Sequence, residues 1–258
     1  MKKILLFILL IITPLFVDAL DYPKLDSKIV EIYDITDDKV LYEVDSEKQT
    51  SIASLTKIVT TITAIETIEN LDDKVTITSD ILSTVRWDAS IAGLKNGDVV
   101  TYRDLLYASM LPSGADATNS LAILSSGSID DFVDKMNQLV NKIGVTNTHF
   151  VNVTGLDTYG HYSTADDIRK ILVYALTNPL FKEIYCTKEY KLTNGLVVNT
   201  TLKHYNSNNL VNTDDILGSK TGFTEEAGYC LSSLIKLDAH DLIIIVLNAS
   251  YKDNIVHL

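Results

Sequence analysis

Short apolar runs with the spacing of β-strands occupy both ends of the chain. Residues 28–43 carry two such runs on either side of Thr36-Asp37-Asp38, a pattern typical of a β-hairpin. Towards the other end, Asn194-Gly195 predicts a second hairpin, and residues 230–235 and 242–247 are two further strand candidates. The last run is apolar at nearly every position, which is typical of a strand buried on both faces.

Helical patterns fill the middle of the chain. Residues 54–68 predict a helix with no charged side chain between Lys57 and Glu66, and a helix that is apolar on all sides is a buried helix. Further helices are predicted over residues 101–110, 116–124 and 128–143, and from Ser163 to a point before Pro179. The order of strands, helices and strands predicts an α+β fold, in which both chain ends build one sheet and a helical lobe is inserted between them.

The first 19 residues have the pattern of a secretory signal peptide. Two lysines precede an apolar run over residues 4–17, and Val17-Asp18-Ala19 resembles a cleavage site of the small-x-small type. The run is shorter than the ~20 residues that a membrane-spanning helix needs. We expect residues 1–19 to be a signal peptide cut after Ala19 and residues 20–258 to form one folded domain. An uncleaved N-terminal anchor is the alternative.

Composition and charge exclude several classes of protein. The 258 residues are 46% apolar and 22% charged, which is ordinary for a globular protein and argues against a disordered chain. The formal net charge of −12 would repel a phosphate backbone, so we expect no nucleic-acid partner. Cys186 and Cys230 are too few for a disulfide framework and are expected to be separate thiols. The histidines are scattered without metal-ligand spacing, so we expect no metal and no cofactor.

Ser54 and Lys57 form the first candidate catalytic pair. They stand at positions i and i+3 of the predicted buried helix, so their side chains share one face within contact range. A serine hydroxyl becomes an effective nucleophile when a base takes its proton. Burial and the positive end of the helix dipole both lower the pKa of a lysine, so that its amine can be that base. The alternative for this Ser-x-x-Lys pattern is an exposed polar face, and the apolar helix argues against it.

Two further motifs offer groups that could work beside this pair. Ser113-Gly114 precedes a predicted helix, where the hydroxyl could relay a proton near Lys57 or, alternatively, cap the helix. Lys220-Thr221-Gly222 offers an amine and a hydroxyl to a substrate carboxylate, on a backbone that a ligand can approach closely. Taken alone, the Lys-Thr-Gly motif is equally compatible with an ordinary turn.

In combination the motifs resemble a known family. Ser-x-x-Lys, Ser-Gly-x and Lys-Thr-Gly occur in the same order in penicillin-binding proteins and class A β-lactamases. The sequence is similar to the low-molecular-mass D-alanyl-D-alanine carboxypeptidases over roughly residues 28–250. The similarity is carried by residues 51–57, 93–98, 104–107, 147–152, 155–157, 160–165 and 218–230.

This resemblance implies a fold, an activity and a set of site residues. The fold is expected to be β-lactamase/transpeptidase-like, and the activity is hydrolysis of the terminal D-alanine of peptidoglycan stem peptides without a cofactor. The implied site consists of the catalytic residues Ser54, Lys57 and Ser113 and the substrate-binding residues Lys220, Thr221, Gly222 and Phe223. The backbone N–H groups of Ser54 and Phe223 are implied to form an oxyanion hole.

The resemblance also implies partners and a location. The expected substrate is a stem peptide ending in D-alanyl-D-alanine, and β-lactam antibiotics are the expected inhibitors. The expected location is secreted or extracytoplasmic, on the cell-wall side of the bacterial membrane. Residues 20–258 would then be a penicillin-binding carboxypeptidase domain. The β-rich domain and the membrane anchor that many family members carry after this domain are not expected within these residues.

One departure from the family pattern affects the candidate site directly. The third residue of the middle motif is Asn in the family, and Ala115 stands there in this chain. Alanine cannot make the contacts that the amide makes with substrate and with the catalytic lysine. Asp116 would be turned by about 100° on a helix, which makes it a poor substitute.

Two alternatives to an active carboxypeptidase follow from these observations. The first is a catalytically impaired module that binds penicillin or cell wall, and Ala115 is its motivation. The second is a class A β-lactamase, which would need a glutamate to activate the deacylating water. No Glu-x-x-x-Asn segment lies between Ser113 and Lys220, which argues against the second alternative.

Overall fold

A computed structural model describes residues 27–202 and 215–250 of the chain. The segment for which a signal peptide is predicted lies outside these ranges. The strands are β1 (Ser27–Asp34), β2 (Lys39–Val44), β3 (Lys74–Thr76), β4 (Val99–Thr101), β5 (Glu189–Lys191), β6 (Val197–Asn199), β7 (Ile216–Thr224), β8 (Gly228–Leu237) and β9 (His240–Ala249). The α-helices are α1 (Thr56–Thr67), α2 (Ser79–Ser83), α3 (Tyr102–Met110), α4 (Ala115–Ser126), α5 (Ile129–Ile143), α6 (Ala165–Leu176) and α7 (Pro179–Cys186).

Both ends of the described chain build one antiparallel sheet of five strands, in the order β2-β1-β9-β8-β7. This arrangement confirms the predicted α+β fold. Strand β9 lies at the centre, and its consecutive residues Ile243 and Ile244 are both buried. Ile243 belongs to the main core, whereas Ile244 belongs to a smaller cluster with Leu231 and Val246. Opposite faces of the sheet are therefore both covered, which explains the continuous apolar run.

Helix α1 is the centre of the helical lobe, as its uncharged sequence predicts. It contacts α3, α4, α5, α6 and α7, and every residue from Thr56 to Ala64 is buried. The buried hydroxyls of Thr61 and Thr63 have no hydrogen-bond partner among the described residues, whereas others on this helix have internal partners. The Thr60 hydroxyl, for example, donates to the carbonyl of Val153 at 2.8 Å. The helix thus ties the loop that contains Val153 to the core of the lobe.

Capping residues in the sequence predicted most of the helix starts correctly. Thr101 and Asp104 form a reciprocal capping box at the start of α3, and Ser128 and Thr164 cap α5 and α6. The predicted helix at residue 54 begins instead as a 3₁₀ turn, Ala53–Leu55, which leads into α1. Helix α7 was not predicted, because Pro179 was taken as the end of a helix. Proline is favoured at the first helical position, and the Asn178 side chain caps α7.

The Lys-Thr-Gly motif lies inside strand β7 and not in a turn. The sequence pattern did not predict this strand, because the glycines and polar residues of the motif have low strand preference. Cys186 and Cys230 are separate free thiols, as expected. Within residues 27–202 and 215–250, no helix has both the length and the apolarity that crossing a membrane requires.

Candidate active site

Ser54 and Lys57 lie next to each other at the junction of the sheet and the helical lobe. The Lys57 Nζ atom is 3.1 Å from the Ser54 Oγ atom and donates to the Thr154 carbonyl at 2.8 Å. Lys57 is only 2% exposed. Burial lowers the pKa of Lys57 to about 7, while the negative charge of Asp116 raises it in part. The amine is therefore available as a base near neutral pH.

The carbonyl that holds Lys57 is positioned by the loop between α5 and α6. The Asn152 side-chain carbonyl accepts from the backbone N–H groups of Thr154 and Gly155, at 3.1 and 2.7 Å. Gly155 has a φ of +84°. A Cβ atom there would come within 1.9 Å of the Ala53 carbonyl oxygen. This loop therefore packs directly on the turn that presents Ser54.

Ser113 lies in the connection between α3 and α4. Its φ is +63°, a conformation that is uncommon for a residue with a side chain. Its hydroxyl is buried and has no hydrogen-bond partner among the described residues. It does not serve as the side-chain cap of α4, whose N-cap residue is Gly114. A buried hydroxyl without a partner is costly, so this group is well suited to a ligand that enters the site.

Strand β7 closes the other side of the serine. A Cβ atom on Gly222 would lie 2.9 Å from the backbone nitrogen of Ser54, so the strand passes the serine at a distance that only glycine allows. Lys220 is buried, and its Nζ atom donates to the Thr221 carbonyl at 2.7 Å. The Thr221 hydroxyl is hydrogen-bonded to the hydroxyl of Thr201.

Lys220 is electrostatically coupled to Lys57. Burial, and after it the positive charge of Lys57, hold the pKa of Lys220 well below its usual range. Lys57 is therefore close enough to Lys220 for its positive charge to oppose protonation of the Lys220 amine. The charge of Lys220 would be restored by a carboxylate that binds beside it, because an opposite charge favours the protonated amine.

Ala115 begins helix α4, two residues after Ser113, and leaves an open space beside the loop whose Thr154 carbonyl holds Lys57. It lines a cavity of about 130 Å³ together with Asn119, Asn152 and Thr154. Asp116 does not replace the missing amide. Its carboxylate accepts from the backbone N–H groups of residues 92, 93 and 94 at 2.8, 2.8 and 2.9 Å. The Asp116 carboxylate is therefore occupied by hydrogen bonds to the backbone of that loop.

We expect Ala115→Asn to accelerate the reaction of Ser54 with a β-lactam roughly fivefold, because one regained hydrogen bond contributes about 1 kcal/mol. The cavity has room for the added amide. Second-order rate constants with a chromogenic β-lactam measure the effect. Ala115→Leu is the matched control, since leucine fills a similar volume without an amide. Equal rates in the two variants would show that filling the cavity, and not the amide, is responsible.

Sequence reasoning missed several residues that shape the site. His161 holds the Thr56 hydroxyl at 2.9 Å, and burial lowers the pKa of His161 to about 4, so that its ring is neutral. Asp157 accepts from the hydroxyls of Ser51 and Thr224, at 3.0 and 2.7 Å. These residues fall in segments that carry the family resemblance. No motif indicated which atoms they would hold.

The fold and the site together define a class of protein. A five-stranded antiparallel sheet is joined to a helical lobe, and a serine–lysine pair lies at the junction beside a Lys-Thr-Gly strand. This is the architecture of the DD-peptidase and β-lactamase-like serine enzymes. The chain belongs to the D-alanyl-D-alanine carboxypeptidase family, peptidase S11, whose sequence profile matches residues 17–251.

Curated relatives with the same description come from several bacteria. The chain is 34% identical over 223 residues to D-alanyl-D-alanine carboxypeptidase DacF of Bacillus subtilis, covering 82% of this chain and 54% of the relative. It is 35% identical to DacA of Escherichia coli, covering 81% and 53% of the two chains. A D-alanyl-D-alanine carboxypeptidase of Streptomyces is 37% identical, with 74% and 70% covered. The chain spans about half the length of the first two relatives.

Solved structures share the fold over nearly the whole chain. The crystal structure of the Streptomyces K15 DD-transpeptidase superposes with a TM-score of 0.78 at 30% identity, covering 90% of this chain and 93% of that one. A D-alanyl-D-alanine carboxypeptidase from Mycobacterium tuberculosis gives a TM-score of 0.77 at 26% identity, with 86% and 83% covered. These matches confirm the fold that the sequence resemblance implies.

Proposed function

We propose that this protein is a serine-type D-alanyl-D-alanine carboxypeptidase, which removes the terminal D-alanine from peptidoglycan stem peptides through an acyl-enzyme on Ser54. The observation that carries the proposal is the 3.1 Å contact between Lys57 Nζ and Ser54 Oγ. Because the pKa of Lys57 is about 7, a large fraction of the amine is uncharged at neutral pH. Ser54 therefore has a base within hydrogen-bond distance.

Acylation begins when Lys57 takes the Ser54 proton and the serine oxygen attacks the carbonyl between the two D-alanines. The negative charge on the carbonyl oxygen is then stabilised by the backbone N–H groups of Ser54 and Phe223. The close passage of β7 beside the Ser54 nitrogen supports this role. As the C–N bond breaks, the proton passes from Lys57 through the Ser113 hydroxyl to the leaving amine. The partnerless buried hydroxyl of Ser113 is available for such a relay.

The terminal carboxylate of the substrate is held by Lys220 and Thr221. The buried amine of Lys220 gains a counter-charge when the carboxylate binds, and the Thr221 hydroxyl adds a second donor. Water then completes the cycle. It gives one proton to Lys57 and attacks the acyl carbonyl, the ester bond breaks, and the proton returns to Ser54 Oγ. A β-lactam that acylates Ser54 in the same way would act as an inhibitor.

The domain and its location complete the proposal. Residues 1–19 act as a signal peptide, and residues 20–258 form the penicillin-binding carboxypeptidase domain. The enzyme works outside the cytoplasm on the cell-wall side of the membrane. The family membership and the basic and apolar start of the chain support this placement.

A second candidate function is a module that binds stem peptides or penicillin without efficient turnover. The specific observation in its favour is Ala115 with the cavity beside it, because the amide that would contact substrate is missing. In that case Ser54 would remain unmodified, or the acyl-enzyme would form and persist. The two candidates differ in whether free D-alanine is released.

We expect one penicillin molecule to attach covalently to Ser54. Intact-protein mass spectrometry after incubation with benzylpenicillin, followed by peptide mapping, measures the adduct. Ser54→Ala is the control and should remain unmodified while it stays folded. Release of D-alanine from a pentapeptide then separates the enzyme from the binding module. A folded protein that forms no adduct and releases no D-alanine would contradict the carboxypeptidase proposal.

A further inference from the structure

Three segments near the candidate site meet at Asp157. The Arg86 side chain donates to the Asp157 carbonyl at 3.4 Å, and the Thr224 hydroxyl donates to the Asp157 carboxylate at 2.7 Å. The segment that begins at Arg86 is also tied to the start of α4, where the Ala115 N–H donates to the Ser90 carbonyl at 2.7 Å. Residues 86–91, 157–160 and 223–226 therefore lie next to one another, and the last segment follows Gly222, which approaches the Ser54 nitrogen.

Each of these segments presents an aromatic side chain to solvent. Trp87 is 95% exposed, Tyr159 is fully exposed and Phe223 is 51% exposed. Trp87 follows Arg86 directly, Tyr159 is two residues beyond Asp157, and Phe223 precedes Thr224. We call these three residues the aromatic rim. Large aromatic side chains are costly to leave in water, so such a group of them at a cleft marks a binding surface.

The charges around the aromatic rim decide what kind of partner fits. Residues 86–91, 157–160 and 223–226 contain a single cation, Arg86, which is ion-paired with Asp88. The other charged groups in these segments are the carboxylates of Asp157, Glu225 and Glu226. The whole chain also has a negative formal net charge of −12. An anionic lipid surface or a nucleic acid would be repelled. An uncharged ligand with apolar faces would not be repelled by these carboxylates.

We propose that the aromatic rim binds the sugar strand to which the stem peptide is attached. N-acetylated pyranose rings are neutral and present C–H faces that pack on the electron-rich faces of aromatic rings. The rim would hold the glycan while its peptide reaches Ser54. This inference rests on the proposed function, because the carboxypeptidase reaction supplies the reason for a glycan at the cleft.

The chain contains a single tryptophan, so Trp87 is a built-in reporter of binding. We expect the β-1,4-linked tetramer of N-acetylglucosamine to cause a saturable change in tryptophan fluorescence, while maltotetraose causes none. Tyr159→Ala keeps the reporter and should weaken the binding of the tetramer. A flat titration up to the solubility limit of the sugar would overturn the proposal. A change caused by phosphatidylglycerol vesicles and not by the sugar would assign the rim to a membrane instead.

A kinetic comparison tests the same surface without the reporter. The ratio of kcat/KM for pentapeptides on glycan strands to kcat/KM for free pentapeptide should fall roughly two- to tenfold in Trp87→Ala. Trp87→Phe should restore most of the ratio. Leu237→Ala is the control, because Leu237 is 59% exposed at the far end of β8, about 30 Å from Gly228. An unchanged ratio in Trp87→Ala would contradict the proposal.

Failure of sugar binding at the aromatic rim can be distinguished from failure of the proposed carboxypeptidase activity. Fluorescence with the sugar requires no catalysis, whereas the penicillin adduct on Ser54 and D-alanine release from free pentapeptide require no glycan. Loss of the adduct and of D-alanine release would therefore count against the proposed function alone. Loss of sugar binding, with both of these intact, would count against the aromatic rim alone.

Discussion

Replacement of Lys57 by methionine is expected to slow acylation of Ser54 by about 10²–10⁴-fold, the usual contribution of a general base. Methionine keeps the length and the apolar stem of the buried side chain but has no amine to take the serine proton. The rate constant for adduct formation with a β-lactam, measured by stopped-flow absorbance or by mass spectrometry, gives the effect. A loss smaller than tenfold would mean that another group acts as the base.

The pH profile of the unmodified protein should identify the same group. In the proposed mechanism, acylation needs the uncharged amine of Lys57, whose pKa is lowered by burial to about 7. The rate should therefore rise about tenfold per pH unit below pH 7 and level off above it. In Lys57→Met the residual rate should no longer follow this curve. A profile that keeps the same midpoint after the substitution would assign the titration to a different residue.

A matched control separates loss of the base from loss of a buried hydrogen bond. Thr60 lies one turn further along α1, is buried, and donates to the Val153 carbonyl, whereas Lys57 donates to the neighbouring Thr154 carbonyl. Thr60→Val removes a buried donor from the same helix and loop but leaves the amine in place. We expect it to lower stability by about 1–3 kcal/mol and to change the acylation rate only a few-fold.

Gly155→Ala is expected to destabilise the protein by more than about 3 kcal/mol and to disrupt the turn that presents Ser54. A Cβ atom at this position would lie 1.9 Å from the Ala53 carbonyl oxygen and 2.8 Å from the Thr56 hydroxyl oxygen. Both contacts involve the turn that presents Ser54 and leads into α1. The loop and the turn must therefore separate, which also displaces the Thr154 carbonyl that holds Lys57. Urea unfolding and the acylation rate measure the two effects.

Gly160→Ala provides the control for this prediction. Gly160 lies in the same loop and has a φ of +85°, close to the +84° of Gly155. A Cβ atom at Gly160 would meet only Val151, at 3.8 Å, which is an ordinary contact. Both variants therefore pay the cost of a positive φ, about 1–2 kcal/mol, and only Gly155→Ala adds the collision. Equal stabilities for the two variants would show that the loop does not pack on the Ser54 turn as described.

The fold class and the contact between Ser54 and Lys57 could be predicted from local patterns in the sequence. Apolar runs at both ends predicted the strands, and the uncharged run after Lys57 predicted a buried helix. Ser54 and Lys57 are three residues apart, and one helical turn brings such residues together wherever the helix lies. Capping residues such as Thr101 and Ser128 acted in the same local way. These predictions needed no knowledge of the rest of the chain.

The remainder of the site depends on contacts between segments that are distant in sequence. Lys57 and the Thr154 carbonyl are 97 residues apart along the chain, and no pattern in either segment predicts their hydrogen bond. The same is true of Gly222, which lies in the unpredicted strand β7 and approaches the Ser54 nitrogen closely. Ser113 was ambiguous in the sequence between a cap and a catalytic group, and only the tertiary structure showed that its side chain does not cap α4. Burial and partner choice arise from packing, because they depend on which distant groups exclude water from a side chain.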